Sequence, residues 1–311
     1  MLQILSTTAP IFILIGLGYL SVMTGLISRE TTRGMGLFVI TIALPAMILR
    51  GMVNKPLRAS LDMDFLMGYA LASILLFAMG ALVFRYLRRA SATESSLAGL
   101  GMSSANTGFI GLSICTVVLG TEPASRAVAM SIMVETMLMY PLTLALADAA
   151  TGHGGQRALA NLFATLKRLS RNPLLITIAV GLFLAVFQIP LPDVALQSID
   201  MLAMTAAPVG LFAVGGNLHG LRPAGMVADA SGIALSKLIL HPAITAVVFM
   251  LFPGLDPVMR KAGLLFAASP LLSIYPIIGM RYGLEDRCST ALLLCTVLSF
   301  VSISIMIALI S

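Results

Sequence analysis

The sequence has little charge and no tryptophan. Charged residues make up 10% of its 311 residues and hydrophobic residues 59%, whereas a soluble domain carries about 25% charged residues. A chain with so few charges has too little polar surface to face water on all sides. The composition therefore excludes a soluble globular protein and indicates an integral membrane protein.

Cysteines are few and enzyme motifs are absent from the sequence. The three cysteines, Cys115, Cys288 and Cys295, lie in or beside apolar segments without C-x-x-C spacing, so we interpret them as packing residues. There is no G-x-x-x-x-G-K-[ST] phosphate loop, no H-E-x-x-H and no G-x-S-x-G. These absences argue against ATP hydrolysis and against the commonest membrane hydrolases. We predict that the protein is not an enzyme and that it has no catalytic residue, metal or cofactor.

Basic residues outnumber acidic ones, 19 to 13. They are scattered through short loops rather than gathered on one face, which argues against a nucleic-acid partner. Twelve fall in loops on one side of the predicted spans and six on the other, and Lys237 lies inside a span. Because cytoplasmic loops are enriched in Lys and Arg, this bias predicts a bacterial inner-membrane protein with both termini on the periplasmic side.

Ten apolar segments are long enough to cross a hydrocarbon core of about 30 Å. They lie near residues 9–27, 34–53, 64–84, 96–119, 127–147, 172–189, 196–217, 230–252, 259–280 and 289–310. The predicted fold is therefore all-α, with ten transmembrane helices and almost no residues left for a soluble domain.

The ten spans divide into a first repeat over residues 1–150, a linker over 151–171 and a second repeat over 172–311. Five spans in each repeat place the second repeat in the opposite orientation, as in inverted-repeat transporters. Helix breakers support the division, because Pro45 and Pro208 are 163 residues apart and Gly111 and Gly279 are 168 residues apart.

The fourth and ninth spans are interrupted near their centres, at residues 103–111 and 269–279. In hydrocarbon, unwound backbone persists only where it is buried in protein or lines a cavity, and a matched pair of interrupted spans indicates a transporter's substrate site. The half-helix N-termini at the two interruptions favour an anion such as a carboxylate. The predicted substrate-binding residues are Ser103, Ser104, Asn106, Thr107, Gly108, Ser273, Tyr275 and Pro276, and the predicted breaks and kinks are at Pro45, Gly111, Pro208, Pro270 and Gly279.

Two ionisable side chains fall well inside the predicted spans, Glu135 in the fifth and Lys237 in the eighth. Charges inside a membrane are unfavourable and are usually paired or functional. Two interpretations stay open: a buried ion pair that stabilises the fold, or a pair that couples transport to protons or responds to substrate. His241, one turn beyond Lys237, is a third candidate.

Motifs in three spans resemble those of a known family. Residues 106–111 in the fourth span, 43–45 in the second, and 207–212 with 215–217 in the seventh resemble the auxin efflux carrier family, within the bile acid, auxin and arsenite transporter superfamily. Bacterial members of that family include carriers for malonate and malate. The resemblance implies a scaffold domain from spans 1, 2, 6 and 7, a transport domain from spans 3–5 and 8–10, broken spans four and nine that cross at the site, and elevator-like movement. A homodimer formed through the scaffold domain is a further expectation.

These observations together predict a secondary active transporter of a small organic anion, a mono- or dicarboxylate such as malonate or malate. Its partners would be this anion, membrane lipid and, as one possible driving ion, protons. An anion channel or uniporter is an alternative, although the sequence lacks the rings of like charge expected of a pore. A sodium-coupled symporter is a second alternative, weakened because residues 269–280 contain no acidic residue.

Overall fold

The computed structural model describes residues 2–53, 61–149, 171–220 and 227–310. Apart from Arg171, the predicted linker over 151–171 lies outside these residues. The described residues form helices in the order α1 (Leu2–Met23), α2 (Arg29–Met52), α3 (Met63–Leu87), α4 (Ala92–Ser103), α5 (Thr107–Leu119), α6 (Thr121–Asp148), α7 (Pro173–Phe187), α8 (Asp193–Leu218), α9 (Val227–Phe249), α10 (Pro257–Ala268), α11 (Tyr275–Met280) and α12 (Glu285–Ile310).

Six of these helices are long and apolar enough to cross a membrane: α2, α3, α6, α8, α9 and α12. Shorter apolar helices are Ala9–Met23 within α1, α5 and α7. The predicted all-helical integral membrane class is therefore confirmed. The predicted fourth span corresponds to α4 followed by α5, and the ninth to α10 followed by α11.

Polar side chains define where several helices begin. The Ser28 hydroxyl accepts from the Thr31 N–H before α2, and the Asp62 carboxylate accepts from the Phe65 N–H before α3. At α4, Ser91 and Glu94 form a reciprocal capping box. Each cap satisfies a backbone donor that the first helical turn leaves free. Each of these caps stabilises the start of a helix that follows soon after another along the chain.

The helices α1, α2, α7 and α8 pack on one another. The backbones of α1 and α8 approach so closely that a Cβ built on Gly18 would lie 2.0 Å from the carbonyl oxygen of Phe212. A Cβ on Gly215 would lie 1.8 Å from the carbonyl oxygen of Ile15. Small residues are what permit such close packing between membrane helices, so α1 and α8 form a tight pair.

The other described helices form a second packed group. Here α3 packs on α4 and α9, α6 packs on α4, and α12 packs on α9 and α11. The two groups meet where α5 crosses α8, where α6 packs on the second half of α2, and where α1 packs on α5 and α12. At the α5 crossing, the Phe109 ring fills the space beside Gly210, so close that a Cβ there would lie 2.6 Å from the ring.

Several long helices contain a π-helical turn, in which the backbone hydrogen bonds are displaced by one residue. Such turns lie at Val39–Ala43 in α2, Glu135–Met139 in α6 and Ser236–Leu240 in α9. The turn in α2 comes just before Pro45, which has no N–H to continue the helical bonding. By contrast, α8 continues without interruption through Pro208. Single π-helical turns are frequent at functional sites, and those of α6 and α9 contain Glu135 and Lys237.

A charged network ties four helices of the second group together near their ends. Arg88 after α3 and Arg287 in α12 both bind the carboxylate of Asp229 in α9. Arg287 also pairs with Glu94 of α4 at 3.3 Å, and its side chain is only 6% exposed. The network satisfies charges that burial would otherwise penalise. No local sequence pattern predicts this network, because its members are far apart along the chain.

A second polar cluster joins α6 to the chain between α11 and α12. Asp148 accepts hydrogen bonds from Arg281 at 2.9 Å and from the Tyr282 hydroxyl at 2.8 Å. Burial, followed by the hydrogen bond to the Asp148 carboxylate, raises the pKa of Tyr282 above its ordinary value. Tyr282 therefore stays protonated and continues to donate at neutral pH.

Candidate functional site

The two interrupted spans contact each other at their interruptions. Helix α4 ends at Ser103 and α5 begins at Thr107, while α10 ends at Ala268 and α11 begins at Tyr275. Between them, Ala105 and Leu271 form an antiparallel β-bridge. The Asn106 N–H donates to the Pro270 carbonyl at 2.7 Å. Each unwound segment thus satisfies backbone groups of the other, which is how such backbone survives at membrane depth.

Side chains of the two breaks are joined as well. The Asn106 amide donates to the Ser273 hydroxyl at 2.8 Å, and Asn106 is 4% exposed. The Asn106 side chain does not cap α5. The Asn106 amide therefore hydrogen-bonds to the other break rather than to its own helix, and the carboxamide and the Ser273 hydroxyl lie side by side.

Glu135 holds the first break. Its carboxylate accepts from the Ala105 N–H at 3.0 Å and from the Thr107 hydroxyl at 2.7 Å. The side chain is buried, with 4% exposed. Hydrogen bonds to a charged group are stronger than neutral ones, so the Glu135 carboxylate is a principal restraint on the chain between α4 and α5.

Lys237 binds the C-terminal end of α10, where the second break begins. Its ammonium donates to the Ala267 carbonyl at 2.6 Å, in the last turn of α10. The neighbouring Ala268 carbonyl accepts from the Ser302 hydroxyl at 2.9 Å. A cation at a helix C-terminus is favourable because the free carbonyls carry partial negative charge.

Glu135 and Lys237 therefore act on different breaks. Among the described residues no ion pair joins them, although each charge lies within electrostatic range of the other. His241 is fully buried, with its ring beside that of Tyr69 at a centroid distance of 5.9 Å. Each of the two charged side chains instead binds backbone at its own break.

The remaining predicted substrate residues have varied environments. The Ser103 hydroxyl donates to Gly99 of its own helix at 2.8 Å, and the Tyr275 hydroxyl donates to the Leu97 carbonyl at 2.9 Å. Ser104 is buried beside the break. Gly108 faces Leu44 of α2. Tyr275 thus joins α11 to α4 and is fully buried.

The predicted glycine breakers are positions of close packing. Gly111 lies against Phe266 of α10, and Gly279 lies against Cys288 of α12. A Cβ at either glycine would lie under 3.0 Å from these side chains. Both glycines therefore allow helices around the breaks to approach, besides any effect on helix continuity.

A cavity of about 260 Å³ lies between the two groups of helices and reaches the second break. Ser273 and Pro276 line it from the break and α11, and Phe109 lines it from α5. The other lining residues are Arg29, Arg33, Ala213, Val214, Asn217, Leu218, Ile277, Met280, Glu285 and Leu292. Ser273, which accepts a hydrogen bond from the buried Asn106 amide, thus lines a space large enough for a small molecule.

Interrupted helices that meet beside a cavity between two packed groups define the class of membrane transporters. A sequence profile of the family described as membrane transport proteins matches residues 3–307, and the chain belongs to that family. The chain is 29% identical over 308 residues to a Rhizobium meliloti (strain 1021) protein named "Putative malonate transporter". The alignment covers 98% of this chain and 95% of that protein. The resemblance to auxin efflux carriers is confirmed.

Proposed function

We propose that the protein carries a small organic anion, a mono- or dicarboxylate, across the membrane by alternating access. The observation that carries the proposal is the hydrogen-bonded junction of the two breaks at the edge of the cavity. An anion that replaced the Asn106–Ser273 hydrogen bond would meet amide and hydroxyl donors beside the N-terminus of α5, which suit a carboxylate. The name of the Rhizobium meliloti relative favours malonate as the first anion to test.

The proposed architecture has ten spans in two inverted repeats of five. Helices α1, α2, α7 and α8 would form the scaffold domain and the second packed group the transport domain. In this proposal one group would move past the other along the surface where Phe109 meets Gly210. With both termini on the periplasmic side of a bacterial inner membrane, the start of α2 and the end of α8 face the cytoplasm. The cavity would then be the inward-facing substrate pathway.

Substrate binding is tested by thermal unfolding of the purified protein with malonate, malate, acetate, aromatic acids and neutral amino acids, each with and without sodium. We expect stabilisation by one or more carboxylates, because a ligand that binds only the folded state raises its stability. Dependence on sodium would favour the symporter alternative. Stabilisation by neutral compounds alone would overturn the proposal that the substrate is an anion.

Replacing Asn106 with alanine should lower anion uptake about tenfold or more, because a hydrogen bond to a charged group contributes roughly 1.5–3 kcal/mol. Thermal stability should stay near that of the parent, since the bonded Ser273 hydroxyl is only half-buried beside the cavity. Uptake into proteoliposomes and thermal unfolding measure the two effects.

Ser113→Ala is the matched control for this variant. Ser113 is buried in α5, but its hydroxyl donates to the Phe109 carbonyl of the same helix at 2.7 Å. Its uptake should equal that of the parent. Normal uptake by Asn106→Ala would remove Asn106 from the substrate site.

Alternating access predicts that Ser273→Cys is labelled by polar thiol reagents from both faces of the membrane, and that substrate protects it. The background would lack the native cysteines, all of which are buried. Ser103→Cys, buried in this conformation, should react more slowly from the face on which the cavity opens. Labelling from one face only would contradict alternating access, and single-channel currents in a planar bilayer would favour the channel.

A further inference from the structure

Two arginines line the cavity that reaches the second break. Arg29 and Arg33 lie one turn apart at the start of α2, on the same face of the helix. The Arg29 guanidinium lies against Gly220, just beyond the end of α8. Among the described residues neither arginine takes part in an ion pair. Two positively charged side chains therefore face the cavity, and no carboxylate side chain of the described residues is paired with them.

The position of these arginines is unfavourable for the helix itself. The N-terminus of a helix carries partial positive charge, so cations in its first turns destabilise it. One acidic residue, Glu30, shares the first turn, and Glu285 lines the cavity opposite. Two arginines and one glutamate leave the cavity lining with a net positive charge, to which the α2 N-terminus adds.

A cavity lined by charge of one sign raises the local concentration of ions of the opposite sign. Its attraction grows with the charge of the ion, so a dianion gains more than a monoanion of similar size. The same cavity carries Ser273 at the break. An anion drawn toward the arginines therefore enters the space that the break lines.

We propose that Arg29 and Arg33 form a charge-selective entrance that favours dicarboxylates over monocarboxylates. The inference rests on the proposed function and deepens it, since it assigns the substrate's second carboxylate to α2. The first carboxylate would bind at the junction of Asn106 and Ser273. Selectivity for the dianion is then a property of two side chains outside the breaks.

The test compares malonate with acetate in binding to the purified full chain at pH 7.5. Arg29→Gln and Arg33→Gln should each weaken malonate binding about three- to fivefold, in the range expected for a partly exposed ion pair. The double variant should lose about tenfold or more, and its malonate affinity should depend less on salt. Acetate binding should change less than about twofold, because one carboxylate remains at the break.

Arg171→Gln is the matched control. Arg171 is an exposed arginine just before α7, and it does not line the cavity. Arg33→Lys keeps the charge and should keep most of the selectivity, which separates loss of charge from misfolding. Its malonate affinity should lie closer to that of the parent than that of Arg33→Gln does.

Equal losses for malonate and acetate, or an equal loss in Arg171→Gln, would overturn the inference. In the latter case the arginines would serve membrane orientation only. Unchanged malonate binding in all variants of a chain that still binds malonate would also overturn it. If the parent chain binds none of the carboxylates in the thermal-unfolding screen, the proposed function itself fails; if it binds acetate but not malonate, only this inference fails.

Discussion

Replacing Glu135 with alanine should abolish transport and lower the free energy of unfolding by about 3–5 kcal/mol, the range for removing one partner of a buried charge interaction. The variant leaves the Ala105 N–H and the Thr107 hydroxyl without their acceptor. It also removes a carboxylate charge that acts on the buried Lys237 ammonium. Denaturation of the detergent-solubilised protein and uptake into proteoliposomes measure the two losses.

Thr107→Val is the matched control, because it removes one donor to Glu135 and leaves the bond from the Ala105 N–H in place. It should lower stability by only about 1 kcal/mol. Wild-type stability in Glu135→Ala would show that the carboxylate does not hold the break.

The double variant Glu135→Gln/Lys237→Met distinguishes the interpretations of the two charges. Each side chain binds a different break, so the losses of the single variants should largely add in the double variant. Recovery of both folding and transport would instead show that the mutual attraction of the charges matters most. Recovery of folding without pH-driven accumulation would indicate that the charges carry protons.

Gly215→Ala and Gly18→Ala should each strongly destabilise the folded protein. The added methyl group would lie 1.8 Å from the Ile15 carbonyl oxygen or 2.0 Å from the Phe212 carbonyl oxygen. Both neighbours are backbone atoms, so relief requires α1 and α8 to separate. We expect destabilisation of about 3 kcal/mol or more, measured as lost yield of monodisperse protein and a lower Tm.

Gly16→Ala provides the control on the same helix. A Cβ there meets nothing within 4 Å, and alanine is a better helix former than glycine by about 1 kcal/mol. This variant should be as stable as the parent or slightly more stable. Equal behaviour of Gly16→Ala and Gly215→Ala would contradict the close approach of α1 and α8.

The breaks show how far local sequence signals reach. Pro270 and the polar residues from Ser103 to Thr107 predict interruptions in two apolar spans, and the helices end at Ser103 and Ala268. The pairing of Ala105 with Leu271 joins residues 166 positions apart. No local pattern specifies that partner, although the matched positions of the breaks in two halves indicated that they would meet.

For the two buried charged residues, the sequence indicates that they matter but not which groups they bind. Glu135 and Lys237 are candidate functional or structural charges by sequence alone, because ionisable groups inside membrane spans are rare. Their partners turned out to be backbone groups at the two breaks. A sequence carries no signal for which backbone N–H or carbonyl will be left free at a break, because that depends on how the neighbouring helices pack.

The sequence by itself determined the helical membrane class and the places where two apolar segments unwind. These properties follow from composition and from residues close together in the chain, since hydrophobicity and helix breaking act locally. Only the tertiary structure decided that Asp229 binds Arg88 and Arg287, that Tyr275 bonds to Leu97, and that Arg29 faces the same cavity as Ser273. Each of these contacts joins residues more than fifty positions apart. They form only when whole helices pack, because neither partner has a preference for the other until the fold brings them together.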